Sequence, residues 1–176
     1  MLRSDSVTLR PMTEADLPIY FQFINDCEIH FLGSGGPPVP TTLPSLIEKF
    51  RSHDSAKSPW FAIEVDNKFI GQCLLYSIDH FNSTCALGLT IGNRDYWSKG
   101  YGREVVNTLL DYAFRVHNIR KVWLQTTGNN PRAIRCYERC GFAIEGRQTH
   151  HVWCGNRYED LVTMGLLKSD WQTNQP

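Results

Sequence analysis

A glycine-containing turn between a strand and a helix constrains this 176-residue chain more than any other segment. Residues 84–91 are rich in β-formers, and residues 105–114 repeat apolar side chains with the period of an amphipathic helix. Between them lies Trp97-Ser-Lys-Gly-Tyr-Gly-Arg103. A turn that opens a helix presents backbone N–H groups without intrahelical partners, beside the positive end of the helix dipole. The segment therefore predicts a site for a phosphate or pyrophosphate.

The other periodic segments predict an α/β domain in the order βααβββαβαββ. Strand, helix and strand in the middle imply a parallel pair joined by a crossover, whereas the flanking hairpins are antiparallel. Residues 31–40 hold three glycines and three prolines and predict a long loop. We expect strands near residues 7–12, 60–65, 68–78, 84–91, 121–126, 142–152 and 157–166, and helices near 13–23, 43–53, 103–114 and 130–140.

Composition narrows the classes of function. Lys and Arg number 18, as do Asp and Glu, so the chain lacks the basic excess of a nucleic-acid-binding protein. No apolar run approaches the roughly 20 residues that span a bilayer, and the N-terminus lacks the apolar core of a signal peptide. Six scattered cysteines predict buried thiols in a reducing compartment. We therefore expect a cytoplasmic protein without a nucleic-acid or membrane partner. Cys136 and Cys140 lack a second ligand pair at a matching spacing, so no metal is expected.

Two common phosphate-binding motifs do not fit the turn. A dinucleotide-binding fingerprint needs a third glycine, but position 105 is Val. A Walker loop needs Gly-Lys-Ser/Thr, but Arg and Glu follow Gly102. The turn therefore belongs to a different class of phosphate site.

A second motif indicates which class. Asn130-Pro-Arg-Ala-Ile-Arg-Cys-Tyr-Glu-Arg-Cys-Gly-Phe142 resembles the Asn…Ala-x-x-x-Tyr-x-x-x-Gly-Phe signature of the GNAT acetyltransferases. Residues 91–103 resemble their acetyl-CoA loop, Gln/Arg-x-x-Gly-x-Gly/Ala, and residues 10–17 resemble their opening strand and helix. The resemblance covers most of residues 7–167. Within the family, the sequence most resembles the branch of ribosomal-protein N-terminal and polyamine acetyltransferases.

This resemblance implies a fold. We expect residues 1–176 to form a single N-acetyltransferase domain, with a core at about 7–167. Its mixed, mostly antiparallel seven-stranded sheet would be flanked by about four helices, with a splayed parallel pair of strands at its centre.

The resemblance also implies a mechanism and a set of site residues. Acetyl-CoA would be the co-substrate, and its acetyl group would pass directly to an amine without a covalent enzyme intermediate. Tyr137 would be the general acid near the CoA sulfur, while a backbone N–H near residues 89–91 polarises the thioester. The residues expected to bind acetyl-CoA are Leu89, Ile91, Trp97, Ser98, Lys99, Gly100, Tyr101, Gly102, Arg103 and Asn130.

Two positions depart from the pattern of the family. Trp97 stands where many members have Gln or Arg, so backbone N–H groups of residues 98–103 would hold the pyrophosphate. Ala86 stands where many members have a Glu base. Without that base, an acceptor amine of lower pKa is favoured, such as a peptide α-amine. Alternatively, a water molecule linked to another side chain would act as the base. Candidate bases are Glu64, Asp79, His80, His150 and His151.

The sequence thus predicts an acetyl-CoA-dependent N-acetyltransferase acting on a primary amine, either a peptide or protein N-terminal α-amine or a small-molecule amine. A catalytically impaired acyl-CoA-binding sensor is the alternative, because of Ala86 and Trp97. Selectivity is expected in residues 31–40, the first helices and the final hairpin. Glu28 and His30 would either bind a cationic acceptor or form a solvated helix end.

The oligomeric state and the strictness for acetyl stay open at this point. Many relatives are dimers, and apolar residues of the final hairpin could form a homodimer interface or face the core. These residues are Val152, Trp153, Leu161 and Val162.

Overall fold

One eight-stranded sheet organises the structure, a computed structural model that describes residues 1–33 and 38–173. The spatial order of the strands is β1-β2-β3-β4-β5-β6-β8-β7. Every neighbouring pair is antiparallel except β5 and β6, which are parallel. The predicted mixed sheet is confirmed. In chain order, β1–β8 are Leu2–Arg3, Thr8–Pro11, Trp60–Val65, Lys68–Asp79, Thr84–Ile91, Lys121–Thr127, Ala143–Trp153 and Tyr158–Leu167.

Helices connect the strands at three points and close the described chain. A 3₁₀ turn, Glu14–Asp16, precedes the first helix, and a π-helical turn, Tyr112–Val116, extends the fourth. The fourth helix is the crossover between β5 and β6, which is why these strands run parallel. In chain order, α1–α6 are Leu17–Ile24, Cys27–Phe31, Leu43–Arg51, Tyr101–Asp111, Pro131–Arg139 and Lys168–Thr173.

The parallel strands separate after a short contact. β5 and β6 pair only at Thr84 with Lys121, Cys85 with Val122, and Ala86 with Trp123. Beyond this point, β5 continues to Ile91 and β6 continues to residue 127 without mutual pairing in the described sheet. The predicted splay of the central pair is therefore present, and it opens a gap at the carboxyl ends of both strands.

Helix α4 anchors the main hydrophobic core against the sheet. Its apolar face has the periodicity expected from the sequence, and every side chain of that face is fully buried. Burying a side chain of this size contributes about 1.5–3 kcal/mol. The first residues of α4, which follow the glycine turn, are thereby held at a fixed place above the gap. The buried residues are Val105, Val106, Leu109 and Leu110 of α4, with Ala113 and Phe114 of the π-helical turn that extends it.

An ion-pair network fixes the start of the chain on the sheet. The Arg10 guanidinium on β2 donates to Asp16 at 2.7 and 2.8 Å and to Glu64 on β3 at 2.8 Å. Asp16 also accepts from the backbone N–H and the hydroxyl of Thr13, at 2.9 and 2.8 Å. Thr13 and Asp16 form a capping box at the start of the helix expected near residues 13–23, and its first turn is 3₁₀ rather than α-helical.

The structure adds three elements to the sequence-based expectation. Strand β1 pairs with β2 and makes the sheet eight-stranded rather than seven-stranded. Helices α2 and α6 raise the number of helices to six, because elements this short leave no periodic pattern. The loop expected at residues 31–40 begins inside α2, and its residues 34–37 lie outside the described residues.

The apolar residues of the final hairpin mostly serve the core. Val152, Leu161 and Val162 are buried, whereas Trp153 is exposed and packs edge-to-face on Tyr158. Of the two alternatives left open for these four side chains, the structure thus favours the core for three of them. A homodimer remains a prediction. In the described ranges, no helix has the length and apolarity to cross a bilayer.

Candidate active site

The gap between β5 and β6 is a cleft of about 740 Å³. Residues 87–91 of β5 form one wall, the start of α4 forms the rim, and α5 forms the opposite wall. Most residues predicted to bind acetyl-CoA, together with the predicted general acid, line it. They are Leu89, Ile91, Trp97, Ser98, Gly100, Gly102, Arg103, Asn130 and Tyr137.

The glycine turn presents unpaired backbone donors to this cleft. Gly100 is the N-cap residue of α4 with φ of 95°, a conformation that strains any residue with a side chain. Ser98 also has positive φ, of 60°. The N–H groups of residues 98–102 donate to no other residue in the described ranges, whereas Arg103 N–H donates to the Gly100 carbonyl at 2.9 Å. A row of free N–H groups at a helix N-terminus is suited to bind a phosphate.

Two of the residues predicted to bind acetyl-CoA, Lys99 and Tyr101, do not line the cleft with their side chains. The Lys99 ammonium lies 5.7 Å from the centre of the Tyr96 ring. The Tyr101 ring packs on Tyr96 at 5.7 Å and against the main core. Lys99 and Tyr101 can therefore contribute to phosphate binding through their backbone N–H groups, but not through these side-chain positions.

Trp97 is held by contacts within the protein. Its indole Nε1–H donates to the Ile91 carbonyl at 2.7 Å, at the end of β5. Its ring lies 3.7 Å from the guanidinium carbon of Arg132 and 5.5 Å from that of Arg94. The only polar group of the side chain is thus occupied, which agrees with the expectation that backbone groups replace a Gln or Arg side chain here.

Unpaired arginines surround the mouth of the cleft. None of the four arginines that line it has a carboxylate within ion-pair distance in the described chain. By contrast, the arginines with such partners, Arg94 among them, lie outside the lining. Unpaired guanidinium groups near free N–H groups favour a ligand with several negative charges. The four are Arg103, Arg132, Arg135 and Arg139.

Tyr137 lies on the α5 wall where the strands separate. It is 7% exposed, and its ring packs edge-to-face on Phe142. Burial, followed by the neighbouring Cys136 and Cys140 thiols, raises the pKa of the phenol above its usual value. The hydroxyl makes no hydrogen bond to another described residue. Tyr137 is therefore a protonated phenol with an unused donor, as a general acid requires.

Asn130 has structural hydrogen bonds in addition to its place at the cleft. Its side-chain oxygen accepts from Ala133 N–H at 3.1 Å and so caps the N-terminus of α5. Its side-chain amide donates to the Leu32 carbonyl at 2.9 Å. Asn130 thus joins α5 to the segment that follows α2.

The far end of the cleft is neutral and polar. Gln72, Tyr76, Gln125 and Thr126 line it, and burial raises the pKa of Tyr76. Sequence reasoning did not identify these residues, although alternation along β4 places Gln72 and Tyr76 on one face of the sheet.

None of the candidate bases lies in the described lining of the cleft. Glu64 pairs with Arg10, and Asp79 bonds to the Asn82 side chain at 2.6 Å. The histidines His80, His150 and His151 are exposed elsewhere. The carboxylates that do line the cleft, Asp5 and Glu104, lie at its rim near the first residues of the chain, where Glu104 accepts from Ser4 and Ser6.

Glu28 and Asp26 are also engaged. Arg94 bridges them, at 2.8 Å to Glu28 and 2.9 Å to Asp26. Glu28 therefore forms an ion pair at the surface, rather than the free carboxylate that would attract a cationic acceptor.

All six cysteines are free thiols. Among residues 1–33 and 38–173, no three His, Cys, Asp or Glu side chains come together in a geometry that could hold a metal ion.

Known proteins share both this sequence pattern and this fold. The family model described as acetyltransferase (GNAT) domain matches residues 6–143. Spermidine N(1)-acetyltransferase of Vibrio cholerae is 29% identical over 119 residues, 68% of each chain. The Escherichia coli K12 enzyme of the same name is 26% identical over 172 residues, which is 97% of this chain and 91% of that one.

A solved structure extends the comparison to three dimensions. The crystal structure of spermidine N-acetyltransferase from Vibrio cholerae in complex with CoA and spermine has a TM-score of 0.88 and 26% identity. The alignment covers 96% of this chain and 99% of that one. The glycine turn, the Asn130–Phe142 segment, the splayed strands and these comparisons agree. The chain belongs to the GNAT acetyltransferase family and is an acetyl-CoA-dependent N-acetyltransferase.

Proposed function

We propose that this N-acetyltransferase holds acetyl-CoA between β5 and β6 and transfers the acetyl group directly to a primary amine, with Tyr137 as the general acid. One observation carries the proposal: the unused, protonated phenol of Tyr137 lines the same cleft as Ser98, Gly100 and Gly102, whose N–H groups are free. The sheet and its cores support one domain, and the main core extends beyond the predicted 7–167 to include Trp171.

The donor occupies the cleft from its rim to its centre. The phosphates of CoA bind the free N–H groups of the turn and the unpaired arginines of α4 and α5. The pantetheine arm lies in the gap, where unpaired backbone of residues 87–91 can bond to its amides as a neighbouring strand would. This placement brings the thioester towards Tyr137.

The chemistry follows from the groups at that point. A neutral amine attacks the thioester carbonyl, and a backbone N–H of residues 89–91 stabilises the developing oxyanion. As the intermediate collapses, the C–S bond breaks and the Tyr137 hydroxyl donates its proton to the departing CoA sulfur; the phenolate then regains a proton from solvent. The amine nitrogen loses a proton to solvent, because neither a histidine nor a carboxylate of the described chain lines the centre of the cleft.

A polyamine is the first candidate for the acceptor. The relatives at 26% and 29% identity are named spermidine N(1)-acetyltransferases. Polyamines carry primary amines on narrow chains that also contain protonated secondary amines, and the side-chain carbonyls of Gln72 and Gln125 in the cleft can accept hydrogen bonds from these groups.

A peptide α-amine is the second candidate, because Ala86 and its surroundings supply no base. Deprotonating an amine with a pKa of ~10.4 at pH 7 costs about 4.6 kcal/mol, whereas an α-amine with a pKa of ~7.8 costs about 1 kcal/mol. An enzyme that relies on solvent to deprotonate its acceptor therefore has the lower barrier with an α-amine.

An acceptor panel tests the proposal. Thiol release from acetyl-CoA would be followed with spermidine, with spermine, and with a lysine-free peptide before and after chemical acetylation of its N-terminus. We expect thiol release with spermidine or with the free peptide, and one acetyl group in the product by mass spectrometry. The blocked peptide is the matched control and should give no release. CoA binding without turnover of any of these amines would contradict the proposal and favour the sensor.

A further inference from the structure

Arg132 lies beside the phosphate turn in an unusual setting. It is the second residue of α5, it lines the cleft, and its guanidinium carbon lies 3.7 Å from the centre of the Trp97 ring. At this distance the planar guanidinium lies directly on the indole. Trp97 is itself fixed by its bond to the Ile91 carbonyl. The guanidinium is therefore held by a ring that cannot easily turn.

This setting leaves the charge of Arg132 without a carboxylate partner. No carboxylate of the described chain lies within ion-pair distance of it, and the guanidinium makes no hydrogen bond to another described residue. A partly buried guanidinium loses hydration, and a cation–π contact satisfies none of its hydrogen-bond donors. A bound anion would supply both the charge and the acceptors.

The position of the anion follows from the neighbours of Trp97. Ser98, the next residue, begins the row of free N–H groups, so the guanidinium and these donors lie at the same end of the cleft. One turn further along α5, Cys136 lies beside Gly102, where a Cβ on the glycine would be 3.5 Å from the sulfur. The α5 face that carries Arg132 therefore faces the turn.

We infer that Arg132, held on Trp97, binds the pyrophosphate of CoA and supplies the side-chain contact that position 97 lacks. The inference rests on the proposed function, since it assigns a donor-binding residue in the same cleft. Trp97 is a positioning residue, whereas Arg132 touches the ligand through charge-assisted hydrogen bonds.

Binding of CoA fragments to the full-length chain tests this assignment. Dephospho-CoA keeps the pyrophosphate and lacks the 3′-phosphate, while pantetheine lacks both. We expect Arg132→Gln to weaken CoA and dephospho-CoA by the same factor, about 10- to 100-fold, as measured by calorimetry. The kcat/KM with S-acetylpantetheine as donor should stay within about twofold of the parent chain, since that donor has no phosphate for Arg132 to bind.

Arg120→Gln is the matched control, because Arg120 is exposed and lies outside the cleft. This substitution removes the same positive charge as Arg132→Gln. It should leave all affinities unchanged. Trp97→Leu should weaken CoA and dephospho-CoA, and adding it to Arg132→Gln should cause little further loss, because both changes remove one contact.

Three results would overturn the inference. First, Arg132→Gln could leave the affinity for dephospho-CoA unchanged. Second, it could lower the affinity for CoA alone. Third, it could lower kcat/KM with S-acetylpantetheine by as much as it lowers the affinity for CoA. The second result would assign Arg132 to the 3′-phosphate, and the third would indicate a general loss of the cleft. If the parent chain bound neither CoA nor dephospho-CoA, the proposed function itself would fail.

Discussion

Tyr137 carries the clearest chemical assignment at the scale of single residues. Replacing it with Phe removes the proton donor and keeps the ring that packs on Phe142. We expect kcat to fall by about 10²–10⁴-fold with CoA affinity unchanged. Because the pKa of the phenol is raised, it stays protonated as pH increases, so the parent rate should climb towards pH ~9 as the amine deprotonates. Steady-state rates across pH check this; equal rates for both chains would contradict the role.

Asp16 is the second residue with a predictable effect, and the effect is on stability. Burial alone would raise its pKa, but hydrogen bonds from Arg10 and Thr13 outweigh burial and lower it. A lowered folded-state pKa stabilises the protein above the unfolded value of ~3.9, and this stabilisation is lost as pH falls below it.

We expect Asp16→Asn to lower the free energy of unfolding by about 1.5–3 kcal/mol at pH 7, because two charged hydrogen bonds are lost. Urea unfolding at pH 7 and near pH 3 measures both values. The difference between the two chains should shrink at the lower pH, and a difference independent of pH would refute this account.

Asn130 connects two elements, so its effect belongs to the scale of helices. Asn130→Ala removes both the N-cap of α5 and the bond to the Leu32 carbonyl, and should cost about 1–2 kcal/mol of stability. Asn130→Asp keeps the cap and removes only the donor to Leu32.

The matched pair separates the two roles by hydrogen exchange. Both variants should exchange faster at residues 29–33, but only Asn130→Ala should exchange faster in the first turn of α5. Equal protection of residues 29–33 in all three chains would show that the bond to Leu32 does not hold this segment.

At the same scale, local chemistry explains which elements the sequence could predict. The cap at Asn130, the stop at Gly141, with φ of 95°, and the hairpin at Asp66 and Asn67, with φ of 50° and 59°, all depend on neighbouring residues. Helix α2 escaped prediction because five residues show no period, although Asp26 caps it by accepting from the N–H groups of Glu28 and Ile29.

The candidate site also has some features that the sequence could predict and others that it could not. Its glycine turn and Tyr137 lie in motifs that are continuous in sequence, so both could be found there. Two contacts join residues that are 35 or more positions apart in the sequence. They are the stacking of Arg132 on Trp97 and the ion pair between Arg94 and Glu28. Such contacts depend on how the elements pack, which local patterns do not specify. The bases suggested by the sequence lie elsewhere for the same reason.

For the whole molecule, charge is balanced in total but not in space. The chain has 18 basic and 18 acidic residues, yet four unpaired arginines gather at one cleft. We expect the Kd of CoA to rise several-fold between ~0.1 and ~1 M NaCl, as the Debye length falls from about 10 to 3 Å. Calorimetry with pantetheine is the control, since an uncharged ligand should show little salt dependence. Equal salt effects on both ligands would contradict this view of the cleft.

The central claim is that acetyl-CoA lies between the splayed strands with its sulfur at Tyr137. A crystal structure of the full-length chain with CoA tests it most directly. We predict the pantetheine arm between β5 and β6, the pyrophosphate on the N–H groups of residues 98–102, and the sulfur within hydrogen-bonding distance of the Tyr137 hydroxyl. CoA bound outside this gap, or with its sulfur directed away from Tyr137, would contradict the account.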